Sequence, residues 1–62
     1  MKEYKTYKAA KRNAEKMGLR LAEYGQIYGT TTFYCYWNKS GNRNDRAAVY
    51  CEYKFDANGR AI

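Results

Sequence analysis

The sequence predicts an α+β domain in which an N-terminal helix packs on one face of a three-stranded antiparallel sheet, in the order αβββ. Two observations predict it. Apolar residues recur with a helical period over residues 2–17, and the period shortens to two after Gly18. Two β-favouring runs, 30–37 and 47–55, then flank a segment dense in Asn, Gly and charge.

The helix is expected over residues 2–17. Tyr4, Tyr7, Ala10, Ala14 and Met17 fall on one face, and Lys2, Lys5, Lys8, Arg12 and Lys16 on the other. Lys16 suits the C-terminal end of the dipole, and Gly18 suits a left-handed position just past it. No clear N-cap marks the start. A first strand is expected over 19–24, where Leu19 and Leu21 alternate with Arg20 and Ala22. The second strand, 30–37, places Phe33, Cys35 and Trp37 on one face and Thr32, Tyr34 and Tyr36 on the other. The third, 47–55, sets Val49, Cys51, Tyr53 and Phe55 against Ala48, Tyr50, Glu52 and Lys54. Asn58-Gly59 signals a tight turn, with 60–62 as a candidate short C-terminal edge strand.

The predicted core gathers the helix face with Leu19, Leu21, Phe33, Cys35, Trp37, Val49, Cys51 and Phe55. Its aliphatic members are few, so the 8 Tyr, 2 Phe and 1 Trp of this 62-residue chain must supply much of the buried area. That length holds a single small domain. A core this small leaves a homodimer as a candidate arrangement. No apolar run approaches the roughly 18 residues of a membrane helix. The charged N-terminus lacks the apolar stretch of a signal peptide, so a cytoplasmic chain without membrane contact is expected.

The net charge is +6, and residues 1–17 carry six cations against two carboxylates. A basic helix can lie along phosphates, releasing counterions with each contact. The loop 38–46 adds Lys39, Arg43 and Arg46. Tyr34, Tyr36 and Tyr50 share the sheet face away from the helix, where aromatic rings can stack on unpaired bases. The candidate binding residues are therefore Lys5, Lys8, Arg12, Lys16, Lys39, Arg43, Arg46, Tyr34, Tyr36 and Tyr50. The same Tyr face can anchor a protein interface or act as a cross-strand ladder that only stabilises the sheet.

Cys35 and Cys51 are expected opposite each other on the core face. They read as buried free thiols, with a cross-strand disulfide as the alternative. Two Cys without His leave a zinc site short of ligands, and no cofactor is expected. Catalysis has little support, because no His supplies a general base near neutrality. Asp45 followed by Glu52-Tyr53-Lys54 matches a short nuclease pattern, but Asp45 falls on a loop tip.

A helix, then Gly18-Leu19-Arg20-Leu21, then Gly29-Thr30 and a hairpin resembles the opening of small messenger-RNA-cleaving toxins with a double-stranded-RNA-binding-like fold. The resemblance covers the order of elements. Those toxins carry a catalytic His after the Gly of the second strand, where this chain has Thr30-Thr31-Thr32. The expected function is a small, basic, non-enzymatic module that contacts DNA or RNA through the helix and loop. The alternative is an inhibitor of the kind phages and other mobile elements encode. It would bind an acidic or nucleic-acid-binding host protein such as a defence-system component.

Overall fold

The computed structural model describes residues 2–46 and 48–62. The elements run β1 (Lys2–Tyr4), α1 (Tyr7–Lys16), β2 (Arg20–Gln26), β3 (Phe33–Asn38) and β4 (Val49–Tyr53). The helix-on-sheet architecture is as expected, with one strand more: the sheet has four strands in the order β1-β4-β3-β2. β1 pairs with β4 in parallel, and the other pairings are antiparallel, so the sheet is mixed. The extra strand also precedes the helix, which departs from the element order of the resembled toxins.

The helix is shorter at its start than its apolar period suggested. Lys2, Glu3 and Tyr4 are extended against Val49, Tyr50 and Cys51. Thr6 is the N-cap, its hydroxyl accepting the Ala9 N–H at 3.2 Å. The C-terminal end is a Schellman motif. Gly18 N–H reaches Glu15 O, Leu19 N–H reaches Ala14 O at 2.9 Å, and Gly18 takes φ +70°.

Strand limits shift for local reasons. β3 begins at Phe33, because Thr30 is held in the preceding turn: its hydroxyl donates to Ile27 O and accepts the Thr32 N–H. β4 ends at Tyr53, and the expected start of that strand at Ala47 lies outside the described residues. The expected C-terminal edge strand reduces to one bridge between Phe55 and Ala61. The intervening turn is closed by the Asp56 carboxylate, which accepts from the Asn58 and Arg60 N–H groups.

The core lies between α1 and the central strands. Ala10, Ala14, Cys35, Val49 and Cys51 are fully buried, with Leu19, Trp37 and Tyr53 nearly so. The small Ala10 and Ala14 let α1 sit close to the sheet. Aromatic rings fill much of the rest. Tyr7 lies 5.9 Å from Trp37 and 5.0 Å from Tyr53 between centroids, and Phe33 and Phe55 close the cluster at 4.9 Å from each other.

Three expected core residues are only half covered: Met17, Leu21 and Phe55 are 50%, 45% and 48% exposed. For Leu21, on β2, the cause is where α1 sits. It packs chiefly on β4 and β1 and leaves the helix-side face of β2 open. No helix among the described residues is long and apolar enough to cross a membrane.

Candidate functional site

Two surfaces carry the sequence-predicted binding residues, and they lie on opposite sides of the sheet. The first is a groove between α1 and the C-terminal turn. Tyr7, Lys8, Lys11, Arg12, Glu15, Arg60 and Ala61 line it. Its volume of about 530 Å³ exceeds what a single ion fills. Lys8, Lys11, Arg12 and Glu15 follow the i, i+3, i+4, i+7 spacing of one helix face.

Arg60 is brought to that face by the last residues of the chain. The Tyr7 N–H donates to Ile62 O at 3.2 Å, and the Ile62 N–H donates to Lys54 O at 2.8 Å. Four cations therefore face one carboxylate. Among the described residues, none of the four stands within 4 Å of an acidic partner.

This charge arrangement works against the helix itself. The first turn holds no acidic residue and carries Lys8, where the dipole is already positive. Lys8 and Arg12, and then Arg12 and Lys16, are like-charged i, i+4 pairs. Each such pair costs about 0.2–0.5 kcal/mol. A local choice that opposes stability marks a place where something else sets the residue.

The second surface is the sheet face away from α1. Tyr36 and Tyr50 are direct cross-strand partners there, as are Tyr34 and Glu52. All three expected tyrosines are thus brought together, half-buried, on one face. Their hydroxyls are occupied. Tyr36 donates to Glu23 Oε2 at 2.5 Å, Tyr34 to Glu23 Oε1 at 3.5 Å, and Tyr50 to Glu52 Oε1 at 3.0 Å. Glu3 stands beside Tyr50 as the register partner on β1.

Two of these phenols, Tyr36 and Tyr50, are held protonated above the ordinary range. The hydrogen bond to Glu23 raises the Tyr36 pKa above its ordinary value, with desolvation adding to it. Burial first, and Glu52 second, push Tyr50 up to about 12.

The 38–46 loop folds onto this second face. Buried Asn38 clasps it: its Nδ2 donates to Asn42 O and Asp45 O, and its Oδ1 accepts the Gly41 N–H at 2.7 Å. The Tyr36 hydroxyl, its one proton shared with Glu23, also lies 3.1 Å from Arg43 O, and the Arg43 side chain stands 4.0 Å from Glu23. Arg43 therefore sits across the sheet from Lys8 and Arg12, not in line with them. Lys39 and Arg46 lie exposed in the same loop, and Lys16 lies exposed in the last turn of α1. Lys5 leaves the helix stripe altogether. It sits in the β1–α1 turn at the rim of a cleft with Glu3, Tyr50 and Glu52.

Sequence reasoning missed Lys11, Arg60, Glu23 and Asn38. Lys11 had a readable signal, the helical spacing from Lys8. Arg60 had none, because its place depends on the Asp56 turn and the Ile62 contact. Asp45 accepts from Ser40 Oγ and the Arg46 N–H inside the loop, and Glu52 holds Tyr50. No group of three metal-ligating side chains occurs among the described residues. The chain matches no known family model, no curated protein and no solved structure.

Proposed function

We propose that this chain is a non-enzymatic nucleic-acid-binding module that holds a phosphate backbone in the α1 groove, acting in the cytoplasm. One observation carries the reading: Lys8, Lys11, Arg12 and Arg60 converge on one groove with only Glu15 among them. A polyanion laid there relieves the like-charge repulsion along α1 and gains from counterion release. The tyrosine face takes no phosphate in this reading. Glu3, Glu23 and Glu52 stand among its rings, and a phosphodiester there would meet carboxylates.

Fluorescence anisotropy with labelled single-stranded and duplex oligonucleotides, titrated across salt, tests the reading. Four phosphate contacts give a slope of log K against log salt of roughly −3.6 for duplex, by counterion release. K11A/R60A removes two of the contacts, and the slope should become shallower by roughly 1.8. An unchanged slope in the variant, or no complex at low salt, rejects the groove.

The second reading, a phage-type inhibitor of a host protein, draws on the opposite face. Tyr34 and Tyr36 are pinned on Glu23, and Tyr50 on Glu52, so their rings are ordered before any partner arrives. Ordered Tyr makes a good interface anchor at low entropic cost. A complex of fixed protein stoichiometry that persists at moderate salt favours this reading.

A further inference from the structure

Cys35 and Cys51 face each other in the β3–β4 register, in the middle of the sheet, with their sulfurs 3.2 Å apart. Both are free, and neither has any exposed surface. In the same row Tyr4 flanks Cys51 and Tyr24 flanks Cys35. The pairing register sets the two sulfurs opposite each other, about 1.2 Å beyond bonding distance.

We propose that this pair is a modification site, a buried dithiol that closes to an intramolecular disulfide by exchange with a low-molecular-weight disulfide. In the first step one cysteine thiolate attacks the small disulfide. Its S–S bond breaks, a mixed disulfide forms, and one small thiol leaves after taking a proton from water. In the second step the other cysteine loses its proton and attacks the protein sulfur of the mixed disulfide, expelling the second small thiol. The two cysteines give up two hydrogens and two electrons, and the small disulfide is reduced to two thiols.

Two features direct the reaction to the closed product. A mixed adduct needs room beside a sulfur that has no exposed surface, so it strains the core until it is expelled. The second thiol meanwhile stands in contact, at an effective concentration no outside thiol matches. Burial also pushes both thiols above their ordinary pKa, so the closed native state exchanges slowly. Attack therefore runs through local opening of β3 and β4, and the rate follows that opening.

The test is incubation of the reduced, full chain with oxidised glutathione, followed by intact-mass measurement, thiol alkylation and thermal melting. The expected product is a monomer lacking two hydrogens, with no free thiol. Its melting temperature should rise on the order of 10 °C, from the loop constraint on a small domain. Its formation should speed up in denaturant below the unfolding transition. C35S and C51S serve as controls, each able to carry one adduct but unable to lose two hydrogens. A persistent mixed adduct, a disulfide between chains, or a wild-type chain that stays dithiol in mild denaturant overturns the proposal. A closed product that melts no higher than the dithiol overturns it too.

Discussion

The ring of Tyr34 lies across Gly25, its cross-strand partner. Its hydroxyl falls 2.9 Å and two ring atoms 3.1 Å from where a β-carbon on Gly25 would stand. Gly25 has a backbone any residue adopts, so Tyr34 alone decides what the position tolerates. Gly25→Ala would gain about 0.4–1 kcal/mol from a less free unfolded chain. It would lose about 1–3 kcal/mol by displacing a ring held on Glu23. A net loss of about 1 kcal/mol is expected in denaturant titration. The same substitution in a Tyr34→Ala background should be neutral or stabilising, which isolates the contact.

Asn38 is 1% exposed and serves the loop with both ends of its amide. Asn38→Ala leaves the Gly41 N–H and the Asn42 carbonyl without their partner, which costs about 2–3 kcal/mol. Asn38→Asp is nearly the same shape but turns an acceptor toward Asn42 O and Asp45 O, so it should destabilise at least as much. Hydrogen exchange at the Gly41 amide should accelerate in Asn38→Ala, which removes its acceptor, and less in Asn38→Asp, which keeps it. Protection that survives Asn38→Ala would show that the loop is held by other means.

Alkaline stability follows from the phenols. Tyr36, Tyr50 and Tyr53 all have pKa values raised above the ordinary 10, and Tyr50 reaches about 12. Between pH 10 and about 12 the folded chain binds protons that the unfolded chain has lost. Their contribution is thus fully present below pH 10 and falls as pH rises through the folded values. Melting temperature should drop across that window while phenolate absorbance lags behind that of the unfolded chain. Glu23→Gln removes the carboxylate that raises Tyr36 and should bring part of that absorbance to lower pH.

Charge on α1 should trade binding against stability. Lys8→Glu places a carboxylate in the first helical turn and turns the like-charge pair with Arg12 into an opposite-charge one, and so should stabilise the chain by about 0.5–1 kcal/mol. In the nucleic-acid reading it also weakens oligonucleotide binding at low salt. A variant that melts higher and binds as tightly as the wild type would detach Lys8 from the site.

Local periodicity revealed most of the fold. Ala10 and Ala14 on one helix face, the alternation from Phe33 to Trp37, and the punctuation at Gly18 and Gly59 were all readable. β1 was hidden because Tyr4 stands three residues before Tyr7 and so continues the helical period. Its parallel partner is distant in the chain and leaves no local mark. Glu23 was hidden for another reason. A register shift between Leu21 and Glu23 moves Glu23 off the face that Leu19 and Leu21 predict and turns it toward Tyr36. The basic helix was legible as a charge pattern, whereas the groove needed Arg60, which only the tertiary fold delivers.

The pairing of Lys2 with Val49 also sets an order of events during synthesis. Among the strands β1 pairs with β4, so the earliest of the four to be made is paired with the latest. Until β4 emerges, a growing chain can form the β2–β3 hairpin by local contacts, while β1 lacks its sheet partner. A pause in translation before Val49 would prolong that interval, and the finished sheet would end it.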